Sequence, residues 1–261
     1  MKKLSFTLLA LLLLTAAAFA QKADQNDPAN LEKGKKLLQQ TIEARGGLSA
    51  LSYRTMDAQG QWSPYDQGVS TTPIPFHDFL IFPDKERTEF GKGKRKDRKI
   101  NVNVGATGWV YDGDAETLKD QNDKQIKDFQ DSRETDIDAV LRAAMQDKKA
   151  EVTYYGRQET RPGERADVIQ IKLKNTFLIM LDPYSKLPAT MTYEKAEEQG
   201  TARYEYRFAQ YVPYDGVKFP NIVDLYKNGV QISRVNYQSI KLNVDIPETL
   251  FAKPPNAKAV K

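Results

Sequence analysis

Side chains able to do chemistry are scarce in this chain. The sequence holds one histidine and no cysteine, so it offers no thiolate nucleophile and no Cys/His set with metal-ligand spacing. His77 stands in a strand-like run with no neighbour in the sequence that would poise it as a general base, and it reads as an ordinary strand residue. Asp112-Gly113-Asp114-Ala115-Glu116 has the acidic spacing of a calcium loop. Thr117, however, occupies the position that requires glycine, and no glutamate closes the loop. With 35 acidic residues, close carboxylate pairs are expected by chance, so none is assigned as a hydrolase pair. Arg87 is suited to a structural ion pair with Glu89 or a neighbouring strand. The basic run Lys92–Lys99 is either a solvated hairpin tip or a contact for anionic headgroups at a membrane surface. The inventory predicts a non-enzyme, with no catalytic residue, metal or cofactor.

The elements around these residues are mostly strands. A helix is expected from about Asn30 to Arg45, with Leu31, Leu38 and Ile42 in one row and Leu37 and Thr41 beside it. Asn30 would cap its start and Gly46-Gly47 end it. Strands are expected at Thr55–Trp62, Phe76–Phe82, Arg87–Phe90, Ile100–Val104 and Gly108–Tyr111. Residues 115–131 read as polar and weakly helical. Thr135–Gln146 reads as an amphipathic helix capped by Thr135 and Asp138, its stripe made by Ile137, Val140, Leu141, Ala144 and Met145.

The second half is strand with turns at Arg161–Glu164, Asp182–Ser185, Tyr214–Gly216 and Lys227–Val230, where Asn228-Gly229 suits a type I′ hairpin. Val230 and Ile232 share one phase, Val235 and Tyr237 the other, and Ile240 and Leu242 return to the first. Such slips mark bulges, which bend and coil a sheet. Hairpin-length loops make the sheet antiparallel. The fold class is therefore α+β: a strongly curved antiparallel sheet of about ten strands, an incomplete β-barrel, with helices covering the concave face.

Lys2 and Lys3, the apolar run within Leu4–Ala18 and the small-x-small site Ala18-Phe19-Ala20 have the three parts of a cleavable secretion signal. The mature chain is expected to begin near Gln21, with residues 21–30 loose and 31–261 a single domain. Without cysteine there is no lipid attachment through a thiol and no disulfide, so the core alone must hold the domain. The net charge is +4, or +2 once Lys2 and Lys3 are removed, which argues against dedicated nucleic-acid binding. Beyond the signal no apolar run reaches membrane-spanning length.

A curled sheet lidded by helices encloses either a packed core or an apolar pocket. Trp62, Phe79, Ile81, Trp109, Tyr111, Phe177, Ile179, Leu181, Tyr204, Tyr206 and Phe208 supply aromatic and branched surface for one or the other. A pocket of this kind would shelter hydrocarbon, which costs about 0.8 kcal/mol per CH₂ to expose to water. Gly60-Gln61-Trp62 also fits the Gly-x-Trp of a lipocalin-like small-molecule binder.

Several segments, read in order, carry a resemblance. They are Ala44-Arg45-Gly46-Gly47 with Leu48 and Leu51, Phe82-Pro83-Asp84-Lys85-Glu86-Arg87-Thr88-Glu89, and Gly108-Trp109-Val110-Tyr111-Asp112-Gly113. Later come Leu181-Asp182-Pro183 with Leu187-Pro188, Tyr214–Pro220 and Asn243–Phe251. Together they resemble the outer-membrane lipoprotein-sorting (LolA-like) superfamily of periplasmic carriers. The resemblance implies a half-barrel lidded by helices, whose interior receives lipid or the acyl chains of a lipoprotein, with Arg87 at the cavity mouth. It implies a periplasmic protein with transient membrane contact and cell-envelope partners. A non-catalytic envelope scaffold with a filled interior is the alternative use of the same fold.

Overall fold

Alternating apolar residues and tight turns lay the chain out as consecutive antiparallel strands. The computed structural model describes residues 21–24, 26–92 and 95–260. The secretion-signal reading of residues 1–20, and Gly93 and Lys94 within the basic run, lie outside the described residues.

The first half contains β1 (Gln21–Lys22), α1 (Pro28–Arg45), α2 (Leu48–Ser52), β2 (Thr55–Asp66), β3 (Val69–Ser70), β4 (Ile74–Ile81), β5 (Lys85–Phe90), β6 (Lys99–Val104), β7 (Thr107–Asp112) and β8 (Thr117–Asp120). Helices α3 (Asp123–Glu134) and α4 (Ile137–Gln146) follow. The second half is β9 (Glu151–Arg161), β10 (Glu164–Lys172), β11 (Thr176–Leu181), β12 (Pro188–Glu197), β13 (Gly200–Tyr214), β14 (Val217–Lys227) and β15 (Val230–Leu242).

The strands form one sheet in the order β1-β9-β10-β11-β12-β13-β14-β15-β2-β4-β5-β6-β7-β8, with β3 attached to β2 alone. The pairing of β15 with β2 joins the two halves of the chain. With β1 and β8 as free edges the sheet is not closed, and it curves as an incomplete barrel with helices over its concave face. Two register breaks on β15 fall where the apolar phase slips. One skips Ile232 opposite Leu225 and Tyr226, and the other lies between Tyr237 and Ser239. Asn228 (φ 51°) and Gly229 (φ 82°) form the left-handed pair that a type I′ hairpin needs.

Two faces of the sheet are buried, in different places. On the concave face, Leu37, Leu38 and Ile42 of α1 and Val140 and Leu141 of α4 pack on Ile169, Ile171, Phe177, Ile179, Leu181 and Met191. Gly34 lets α1 lie against β9: a Cβ there would sit 2.5 Å from the Thr153 carbonyl carbon. On the convex face of β5–β7, Ile100, Val102, Trp109 and Tyr111 are buried beneath Ile246 and Phe251 of the C-terminal segment. The Trp109 indole Nε1–H donates to the Phe251 carbonyl (3.0 Å), and Arg87 Nη1 donates to the Leu250 carbonyl (2.7 Å).

Several local expectations are corrected. Helix α1 starts at Pro28 and is capped by Asp27, whose carboxylate accepts from the Ala29 amide; Asn30 instead donates to the Asp24 carbonyl. Helix α4 is capped by Asp136, not Thr135, which closes α3. Residues 115–131 divide into β8 and the start of α3, which Asn122 and Gln125 open as a capping box. Residues 21–30 are not simply loose, since β1 pairs with β9 at Gly156 and Arg157. The sheet exceeds ten strands because residues 117–120 pair along β7 and the second half divides into seven strands.

Trp109→Ala removes a ring only 4% exposed, together with its hydrogen bond to the C-terminal segment. Urea denaturation is expected to show a loss of about 3–5 kcal/mol. A loss under about 1 kcal/mol would mean that the convex-face core contributes little.

Candidate functional site

Helices α3 and α4 cross the concave face beside the packed core and leave a cavity of about 240 Å³ beneath them. One side is apolar: Met56 of β2, Leu80 of β4, Phe82, Phe208 of β13, and Phe219 and Val223 of β14. The other side is charged. Asp78 of β4, Glu86 of β5, Arg133 of α3, and Asp136 and Asp138 at the start of α4 all line it. Tyr53, Tyr206 and Tyr237 complete the wall.

Strand register brings the first two carboxyls together. Asp78 is opposite Thr88 and Leu80 opposite Glu86, so all four side chains share the concave face. The Thr88 hydroxyl donates to Asp78 Oδ1 at 2.8 Å and lies 3.4 Å from Glu86 Oε1. Burial pushes the Asp78 carboxyl well above its ordinary range, and the neighbouring Glu86 charge adds to the shift. Burial raises Glu86 as well, against the pull of Arg133. Asp136 is raised by the same cause and opposed by the same guanidinium, while its Oδ1 accepts from the amides of Asp138 (2.9 Å) and Ala139 (3.2 Å). Arg133 lies over the Phe82 ring (5.1 Å), and its Nε has no hydrogen-bond partner.

Asp138 belongs to a separate knot, in which Arg45 Nη2 and the Nε and Nη2 of Arg142 are left without hydrogen-bond partners. Its carboxylate pairs with Arg45 Nη1 and accepts from the Tyr53 hydroxyl (2.7 Å), while Arg45 Nε donates to the Lys218 carbonyl (3.3 Å). Arg142 Nη1 donates to the Tyr53 carbonyl (2.9 Å), with the guanidinium over the rings of Tyr53 and Phe82. Among the described residues no group of His, Cys, Asp and Glu is set to hold a metal ion. None of the described helices is long and apolar enough to cross a membrane.

No protein-family model matches the chain, and no curated protein matches it in sequence. Solved structures do match. One is a domain assigned to outer membrane lipoprotein sorting from Vibrio parahaemolyticus, 14% identical with a TM-score of 0.52, the match covering 86% of this chain and 98% of that one. A LolA superfamily protein from Nitrosomonas europaea is 11% identical with a TM-score of 0.54, over 84% and 97% of the two chains. The chain has a LolA-like fold. A DUF1329 family protein from Desulfovibrio piger shares the architecture, at 10% identity and a TM-score of 0.58 over 85% of this chain and 97% of that one.

Within the LolA-like fold the residues expected at the pocket separate into four groups. Tyr206 and Phe208 line the cavity. Phe177, Ile179 and Leu181 share the concave face but lie fully buried in the core beneath α1 and α4. Trp62 and Tyr204 are also on the concave face at its margins: Trp62 is half-buried against Phe90 (5.6 Å), beside cavity-lining Val235, and Tyr204 bonds Glu197. Phe79, Ile81, Trp109 and Tyr111 are on the convex face, in or against the core beneath the C-terminal segment.

The structural ion pair read for Arg87 is present, and the cavity-mouth position that the resemblance implied is corrected. Cross-strand register sets it opposite Phe79 and Val102 on the convex face, where it pairs with Glu89 (2.7 Å) and stacks on Trp109, away from the cavity mouth. Asp78, Glu86, Arg133, Asp136 and Asp138 were not anticipated. One signal for them exists in the sequence: Asp78 shares the strand phase of Phe76 and Leu80, a carboxyl on an apolar stripe.

Two outcomes follow from these charges. Asp138→Ala leaves the Arg45 guanidinium, 1% exposed, without its counter-ion, and should cost about 3–5 kcal/mol in chemical denaturation. Asp78 and Glu86 titrate above their unfolded values, so the stability that these two groups contribute is fully present below about pH 4 and is lost as pH rises through their folded values. The double substitution Asp78→Asn, Glu86→Gln should therefore gain stability over the parent as pH rises from about 4 towards neutrality. A stability difference that stays constant across a urea-denaturation pH series would contradict this.

Proposed function

We propose that this protein is an exported, non-catalytic carrier or sensor that holds lipid, or the acyl chain of an acylated protein, in the cavity beneath α3 and α4. The observation that carries the reading is the cavity itself, with its apolar side built from the sheet and its roof from two helices. At about 240 Å³ it falls a little below the roughly 300–1,000 Å³ of small-molecule pockets, a size that suits one slim chain. Hydrocarbon held there gains about 0.8 kcal/mol per CH₂ removed from water, enough for a single chain to bind reversibly. The likeness to a lipoprotein-sorting domain supports the same reading. The secretion-signal pattern of residues 1–20 supports export to the periplasm, where lipid or envelope proteins would be the partners and membrane contact transient.

A second reading, an envelope scaffold, is favoured by one observation. The concave face beneath α1 is filled by the chain's own residues, Phe177, Ile179 and Met191 among them, each almost completely buried. On the carrier reading, the concave face leaves room for a ligand in the half bounded by β2, β4, β5 and β13–β15.

The two tryptophans lie on opposite faces of the sheet, which gives a direct test. In a Trp109→Phe variant, Trp62 is the sole tryptophan and lies next to cavity-lining Val235. Adding a long-chain acyl ligand should shift its emission or intensity, and native mass spectrometry of gently purified protein should show co-purifying lipid. A Trp62 signal inert to every acyl ligand, with no retained lipid, would favour the scaffold.

A further inference from the structure

The cavity wall holds more negative charge than its own surroundings can neutralise. Four carboxyls line it, Asp78 from β4, Glu86 from β5, Asp136 from the α3–α4 junction and Asp138 of α4, against one lining guanidinium, Arg133 of α3. The remaining groups nearby do not redress the balance. Asp138 of α4 is satisfied by Arg45 of α1 and by Tyr53. Arg142 of α4 donates Nη1 to the Tyr53 carbonyl and lies over the rings of Tyr53 and Phe82, its Nε and Nη2 unpaired, so even with its charge counted the carboxyls outnumber the guanidiniums by one. Tyr206 of β13 and Tyr237 of β15 carry neutral hydroxyls, which burial keeps protonated. Asp136 is held by two backbone amides and faces Arg133, so Asp78 and Glu86 are the pair left over. That pair shares one hydroxyl, that of Thr88, and charge on Glu86 disfavours ionisation of Asp78.

Water in the cavity can solvate two such carboxylates; a hydrocarbon chain in the same space cannot. Burying an ionised carboxylate against apolar matter is costly enough that the group protonates instead. We infer that ligand uptake is coupled to proton uptake at the Asp78–Glu86 pair, so that the wall is charged when the cavity holds water and neutral when it holds hydrocarbon. The inference rests on the carrier reading above and adds the regulation of that site. By linkage, a ligand that favours the protonated wall binds more tightly as pH falls. Release is correspondingly favoured where the pH is higher.

The test is isothermal titration of the intact mature chain with monopalmitoylglycerol, whose headgroup is neutral at every pH used. Titrations run from about pH 8 down to about pH 5, in pairs of buffers with unlike ionisation enthalpies. The expected result is net proton uptake on binding, and an affinity that rises on acidification by up to about tenfold per pH unit for each proton taken up. The Asp78→Asn, Glu86→Gln variant should bind with a nearly flat pH profile and with the proton uptake reduced or abolished. If the variant fails to fold, the proton count of the parent decides alone.

Binding by the parent without proton exchange, or binding that tightens as pH rises, overturns the coupling while leaving the carrier reading intact. The second of these outcomes would mark a wall built for cationic headgroups. Absence of monopalmitoylglycerol binding across the whole pH range overturns the carrier reading, and the coupling falls with it.

Discussion

A single buried guanidinium fixes where the helices lie on this sheet. Arg45 ends α1, pairs with Asp138 at the start of α4 and donates to the backbone of β14 at Lys218. Tyr53, which follows α2, bonds the same carboxylate. Three helices and the sheet thus meet at one ion pair that is almost completely removed from water. Pairs of this kind add little net stability against an apolar replacement, but breaking one is costly, because the surviving charge has nowhere to go. Their contribution is to position. Here the position is that of α4 over the sheet, and it is α4 together with the end of α3 that makes a roof instead of a filled core.

The second organising fact is that the sheet buries different faces along its length. From β9 to β14 the concave face is apolar and the convex face carries Arg203, Glu205 and Arg207 in alternation, the ordinary pattern of a sheet covered on one side. Beyond β4, whose concave face carries Phe76 and Leu80 beside Asp78, the arrangement reverses over β5 to β7. The convex face holds Ile100, Val102 and Trp109, and the concave face holds Glu86 and Asn103. The cavity lies where these two regimes meet, which is why one wall is hydrocarbon and the other is carboxyl.

That reversal also explains what the sequence could and could not disclose. Period-two alternation, Asn228-Gly229 and the phase slips of β15 are local signals, and they led directly to an antiparallel, coiled sheet with helices on one side. Helix starts were displaced by a few residues because two capping residues compete at each. Asp27 lies three residues before Asn30, and Asp136 follows Thr135; in both cases the carboxylate supplies the cap. The pocket residues carry weaker local signals. Trp109 and Phe208 look alike as aromatic residues in alternating strands, yet they face opposite ways. No local pattern reports which phase is inward once both faces are covered. Arg133 and Asp138 are positioned by helix packing across some fifty to ninety residues of chain, and nothing beside them in the sequence announces a cavity.

The C-terminal segment has a consequence for the order in which the molecule can mature. Arg87 reaches Leu250 across 163 residues, and Trp109 reaches Phe251 across 142. Strands β4 to β7 are made well before Ile246 and Phe251, so their convex face stays bare until that segment arrives. Likewise β2 waits for β15. A chain that emerges N-terminus first from a ribosome therefore cannot close this structure early. Long-range contacts of this kind are slow to form, and until they do the apolar strands remain open to chaperones. Leu250 and Phe251 thus act as a latch, and the second buried face of the sheet stays open until they emerge.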